Sequence, residues 1–131
     1  MTVLLDTLTT ALQSLGCDTQ RFAFDTHSPV VMDFVDIGEL LLEPEGDQLA
    51  LWGRLETSVG HHFHGRADAM LEVLSEPADY LANGSLCLRQ LGDACAVGGV
   101  LHGDCLAQPA RLAQAIEQLH ARIGQLQGLL R

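Results

Sequence analysis

Asp25, His27 and Ser28 supply the three side-chain types of a hydrolytic triad within one short stretch. In a working triad the imidazole takes the hydroxyl proton while the carboxylate orients the ring, so the groups converge from separate elements. Near neighbours in an extended turn cannot chain Ser to His to Asp, and no G-x-S-x-G elbow presents Ser28. Asp25 and Ser28 suit a different task, bonding local backbone donors at the entry to a strand.

His61, His62 and His64, with His102 further on, are the other candidates for chemistry. Helical zinc pairs stand four residues apart, whereas these spacings are one, two and three, and no neighbouring carboxylate or cysteine completes a set. The cluster therefore reads as surface histidines, and no metal or other cofactor is expected. Cys17, Cys87, Cys95 and Cys105 form no C-x-x-C pair and read as reduced core thiols. Gly98-Gly99 lacks the Lys and Ser/Thr of a phosphate loop and instead marks a bulge or a close backbone approach. An enzyme is not expected. The enzymatic alternative is a small metal- or thiol-dependent one using His61, His62 and His64, or Cys105.

Composition narrows the partners. The 131 residues fit one domain, 1–131, and 47 % are apolar, enough for a core without staples. The seven basic residues are all arginine, and against 17 carboxylates they leave a formal net charge of -10. Such a surface repels phosphate backbones and anionic lipid, so neither nucleic acid nor membrane is an expected partner. The N-terminal segment has Asp6 and no basic region before its leucines, unlike a signal peptide. A cytoplasmic protein is expected.

The elements follow from periodicity. Leu4, Leu5, Leu8, Leu12 and Leu15 recur at helical spacing over Val3–Leu15, and Gly16 ends the run. Three strands follow, Val30–Val35, Ile37–Glu43 and Gln48–Glu56, with Pro44-Glu45-Gly46-Asp47 as a turn. Their short connections predict an antiparallel meander. A helix over Val59–Ser75 precedes two strands, Leu86–Leu91 and Ala94–Leu101. After Pro109, Leu112, Ile116, Leu119, Ile123, Leu126 and Leu130 alternate steps of four and three. That stripe is too short for a coiled coil and reads as a core-facing face. The fold class is α+β, in the order α-β-β-β-α-β-β-α, with helices packed on an antiparallel sheet.

The strands carry more apolar side chains than a sheet with one wet face requires. Val31 and Val35 oppose Val30, Met32 and Phe34, Leu40-Leu41-Leu42 puts leucine on both faces, and Trp52 opposes Leu49, Leu51 and Leu55. Either the helices divide between the faces, or an apolar patch is kept for a partner. The second reading is preferred, because three short helices scarcely cover both faces of five strands. An extended peptide pairing with a strand edge is one such partner.

Three stretches carry a resemblance. They are Leu15-Gly16-Cys17-Asp18, Asp25-Thr26-His27-Ser28-Pro29-Val30-Val31-Met32-Asp33-Phe34, and Leu49-Ala50-Leu51-Trp52-Gly53-Arg54-Leu55. They resemble the invasion-associated class I type III secretion chaperones, the multi-effector chaperones of the surface-presentation-of-antigens group, related to the Tir chaperone family. Thr26 stands where serine is commoner, and Glu56–Ser85, with its histidines, departs most from the family pattern.

The resemblance implies a cytoplasmic homodimer that binds N-terminal chaperone-binding segments of secreted effectors. It keeps them extended and export-competent, and delivers them to the export ATPase of the secretion apparatus, without a cofactor. The implied effector contacts are Leu4, Leu5 and Leu8 of the first helix, Val31, Asp33 and Phe34 of the first strand, Leu40 and Leu42 of the second, and Leu49, Leu51 and Trp52 of the third. The implied dimer contacts are Met70, Leu71, Leu74, Cys87, Arg89 and Leu91.

Overall fold

The computed structural model describes residues 2–15, 29–55, 65–91 and 94–130, with the backbone alone for 2–5, 91 and 130. The order is α1 (Thr2–Ser14), β1 (Val30–Phe34), β2 (Gly38–Glu45), β3 (Gln48–Leu55), α2 (Ala67–Ser75), β4 (Cys87–Leu91), β5 (Ala94–Val100), α3 (Asp104–Ala107) and α4 (Pro109–Leu130). The α+β class and the strand sequence agree with the apolar periodicities. The single-turn α3 is an addition, since four residues are too few to show a helical period.

Two boundaries move for identifiable reasons. Of the helix expected over Val59–Ser75, residues 59–64 lie outside the described ones; Gly65 takes φ +80, a left-handed conformation, and α2 starts at Ala67. Pro44, expected in a turn, lies inside β2 opposite Leu49. It is tolerated there because β1 begins at Val30, opposite Leu42, so no described strand needs an N–H from Pro44 on that side. Gly46, at φ +65, makes the tight turn into β3.

All strand pairs are antiparallel, in the order β1-β2-β3-β5-β4. The first three strands form the expected meander. β5 then enters beside β3 and pushes β4 to the far edge, so β1 and β4 are the two edges. The register fixes the faces: Val30, Met32, Leu40, Leu42, Leu49, Leu51, Gly53, Leu55, Cys95 and Val97 share one side.

The helices pack on that side. Leu112, Ile116, Leu119, Ile123 and Leu126 of α4 are all fully buried, in one cluster with Leu8, Ala11 and Leu12 of α1, Cys105 of α3 and Met70 of α2. The four-and-three stripe is thus core, as expected. Each such leucine or isoleucine contributes about 1.5–3 kcal/mol by leaving water. Gly53 makes the close approach possible, because a Cβ there would lie 2.5 Å from Ile123. Arg122 ties α4 to the end of α2, donating to the carbonyls of Val73, Glu76 and Pro77 at 3.0, 3.3 and 3.4 Å. The Val73 carbonyl also accepts from the Glu76 N–H at 3.4 Å, and Glu76 and Pro77 lie just past the helix end.

Candidate binding surface

The opposite sheet face follows from the same register. Val31 stands beside Leu41, Leu41 beside Trp52, and Trp52 beside Gly98, which neighbours Cys87. A second, smaller cluster forms here from Ala50, Trp52 and Ala96, with Leu41, Cys87 and Val100 packed against it. It contains strand residues only. Leucine and valine therefore do occupy both faces, but among the described residues the helices serve one.

Trp52 is the centre of this face, and it is only 9 % exposed. Small neighbours explain part of that: Ala50, Ala96 and Gly98 leave room for a flat indole. Gly98 is obligatory, because a Cβ there would fall 1.9 Å from the Leu51 carbonyl oxygen. Among the described residues Leu41, Cys87 and Val100 pack around the cluster, and Arg89 lies over the indole, its guanidinium carbon 4.4 Å from the ring centroid. Glu43 holds that guanidinium from the other side of the face, with 3.5 Å between Nη2 and Oε2. Two donors here are buried without an acceptor among the described residues, the indole Nε1 of Trp52 and Nε of Arg89.

The rim adds open apolar surface at the β1 edge. Val31 is 43 % exposed, and Val35 just beyond β1 is fully exposed. The corner after it is well anchored: the Asp36 carboxylate meets His120 Nε2 at 3.1 Å, and Gln127 donates to the Ile37 carbonyl at 2.7 Å. The His120 ring stands edge-on to Phe34, centroids 4.9 Å apart. The His120 hydrogen bond holds the Asp36 carboxyl below its ordinary value.

The structure separates the residues that the resemblance implied for effector contact. Leu8 of α1 and Leu40, Leu42, Leu49 and Leu51 of the sheet lie in the core between helices and sheet, at 4 % exposure or less. Val31, Asp33 and Trp52 share the opposite face, and Phe34 is half-buried beside His120. The side chains of Leu4 and Leu5 lie outside the described residues. Of the implied dimer contacts, Met70 is core, Leu71 is 62 % exposed, Leu74 is half-buried, and Cys87 and Arg89 flank Trp52. The Leu91 side chain is not among those described.

Among the described residues no group of three or more His, Cys, Asp or Glu is placed to hold a metal. Asp25, His27, Ser28, Cys17 and the cluster of His61, His62 and His64 lie outside them. His102 Nδ1 accepts from the Asp104 N–H at 3.2 Å and lies 3.6 Å from the Asp104 carboxylate, on the surface. Cys105 is buried, and that burial pushes its thiol up, away from the reactive thiolate.

Comparison with known proteins settles the family. The model of the invasion protein B family matches residues 16–92. The chain belongs to that family, one of type III secretion chaperones. It is similar to the surface presentation of antigens protein SpaK of Salmonella typhimurium strain LT2, 22 % identical over 107 residues, or 81 % of this chain and 79 % of that one. The SpaK protein of Salmonella typhi matches to the same extent. No support for the enzymatic alternative comes with the family.

The matched span runs through β1, β2, β3, α2 and β4, and so includes Val31, Glu43, Trp52 and Arg89. Sequence reasoning placed Trp52 and Arg89 in separate roles and passed over Glu43. Only the insertion of β5 between β3 and β4 brings the three together, and no short-range pattern announces that order. The Asp36–His120 contact, between residues far apart in the chain, is invisible to periodicity for the same reason.

No helix of the described residues is long and apolar enough to cross a membrane.

Proposed function

We propose that the chain is a cytoplasmic chaperone for the N-terminal segments of type III secretion effectors. It holds them extended and export-competent, and hands them to the export ATPase of the secretion apparatus. The observation that carries this reading is a sheet face that, among the described residues, carries no helix and runs out to the β1 edge, with Val31 and Val35 open there. An extended segment can add its backbone to such an edge and set alternate side chains against the face. Its ordering entropy is then offset by contacts at many points. Net charge -10 favours a basic segment.

On this reading the effector contacts are Val31, Asp33, the open edge of Phe34 and Trp52, with Leu4 and Leu5 of α1. The core leucines support them from beneath. A homodimer is part of the proposal, with Leu71 and Leu74 of α2 and Leu91 of β4 at its interface, while Cys87 and Arg89 lie against Trp52 on the sheet face. Exposed Leu71 and Leu88 favour it.

The test is co-expression with tagged N-terminal effector segments, followed by protease protection of the retained complex and mass measurement. A protected segment on a two-copy assembly, lost on Val31→Glu, is the expected result. A folded chain that retains none of the segments defeats the proposal.

A further inference from the structure

Among the described residues, the chain's own Arg89 lies over the Trp52 ring. Arg89 comes from the edge strand β4, crosses Ala96 and Gly98, and lies on an indole rooted in β3. Its hold is ionic and half-exposed: the Arg89 and Glu43 side chains are 36 % and 30 % exposed, with 3.5 Å between charged atoms. A cation–π contact and an ion pair at that exposure favour the closed arrangement by only about three- to thirtyfold. The closed arrangement also leaves two buried donors without acceptors among the described residues, Trp52 Nε1 and Arg89 Nε. An unmatched buried donor opposes closure. The indole N–H thus has a reason to accept a different neighbour, and what it lacks is an oxygen.

We infer that Arg89, pinned by Glu43, is a displaceable lid over Trp52, and that an extended polypeptide crossing the sheet face opens it and gives a backbone carbonyl to the indole N–H. This rests on the reading that the chain binds extended segments, and it adds how the face is gated. An extended backbone suits the need because it presents a carbonyl at every residue, at a spacing set by the strand and independent of side-chain sequence. One donor at the centre of the face can then serve unrelated segments. The released Arg89 stays tethered to β4, where it can meet a carboxylate or carbonyl of the same segment. Closure in the free state keeps the indole from acting as an exposed apolar patch.

Trp52 is the only tryptophan, so it reports on the lid without interference. The first arm uses the full chain alone and acrylamide quenching of Trp52 emission. Glu43→Gln should raise the quenching constant at least about twofold, and Arg89→Ala should raise it further. Raising salt should increase quenching in the wild type and leave Glu43→Gln unchanged, because only the wild type has an ion pair to screen. The second arm follows the single indole N–H resonance during titration with a capped, uncharged peptide of alternating threonine and valine. A downfield shift is expected, with several-fold tighter apparent binding to Arg89→Ala, since the closed fraction weakens binding to the wild type. Equal quenching in all three proteins at every salt concentration would overturn the lid. An indole resonance that ignores the peptide in Arg89→Ala would overturn the carbonyl assignment. A resonance that moves with protein concentration alone would assign the face to a second copy instead. Neither arm uses an effector, so failure of the co-expression test leaves both results standing.

Discussion

Gly53 of β3 lies directly against Ile123 of α4: a Cβ on the glycine would stand 2.5 Å from both Cγ1 and Cδ1 of the isoleucine. Leu40 closes the third side, with its Cδ2 3.1 Å from the same point. The helix sits on the sheet at this distance only because the residue has no side chain. Gly53→Ala should therefore destabilise the fold by about 1–3 kcal/mol, the usual cost of overpacking a close-packed interior. Ile123→Val removes one of the two clashing carbons. In the double mutant the combined loss should be smaller than the sum, a coupling that urea denaturation of the four proteins measures. Strict additivity would show that the helix shifts to make room.

Gly98 faces backbone where Gly53 faces a side chain, and the expected result is correspondingly worse. A Cβ at Gly98 would lie 1.9 Å from the Leu51 carbonyl oxygen, 2.9 Å from its carbon and 3.0 Å from the Trp52 Cα. No rotamer relieves such a clash, so β5 would have to leave its register with β3. Gly98→Ala should cost more than about 4 kcal/mol, and the readout is loss of folded soluble protein or of the cooperative unfolding transition.

Gly128 is the control for both. It is exposed near the end of α4, and a Cβ there meets nothing within 4 Å. Gly128→Ala should stabilise the chain by about 0.5–1 kcal/mol through helix propensity alone. A destabilised Gly128→Ala would mean that the helix end has a partner in solution, and sedentary monomer can be told from dimer by sedimentation.

The contrast among these glycines marks how far the sequence could be read. Composition cannot rank Gly53, Gly98 and Gly128, because their difference lies in what stands opposite each. Local spacing did suffice for the buried stripe of α4 and for the β1–β3 meander, where neighbours in sequence are neighbours in space. It also showed that Leu41 and Leu42 must point to opposite faces. It could not say which face the helices take, so Leu40, Leu42, Leu49 and Leu51 were grouped with Val31 and Trp52, which lie on the other side of the sheet. The lid over Trp52 needs the long-range order β3-β5-β4, which no period encodes.

Arg122 joins α2 to α4 through backbone carbonyls, and its side chain is only 13 % exposed. The Glu76 carboxylate lies 3.7 Å from the guanidinium as well. Arg122→Ala removes the charged donor shared by the Val73, Glu76 and Pro77 carbonyls at the end of α2 and should cost about 1–3 kcal/mol. Arg122→Lys should recover only part of that, because a single ammonium cannot reach the three carbonyls as a planar fork does. Hydrogen exchange should quicken first in α2. Faster exchange confined to α4 would show that the arginine serves its own helix instead.

The pair of Asp36 and His120 makes a prediction in pH. The His120 hydrogen bond is the largest cause of the lowered Asp36 pKa, which falls below the ordinary 3.8. A carboxylate whose folded value is depressed adds stability that is present above its unfolded value and is lost as pH falls through the folded one. Asp36→Asn keeps an oxygen that can accept from His120 but carries no charge. The wild type should therefore melt above Asp36→Asn at about pH 5, and the gap should close as the pH drops below the carboxylate range. Because Asp36 is exposed, the gap should also shrink with added salt. Replacing the ring, in His120→Ala, should raise the Asp36 carboxyl toward its ordinary titration, read from its side-chain carbon resonance. A gap between wild type and Asp36→Asn that stays constant from neutral pH to acid would show that the carboxylate charge contributes nothing at this corner.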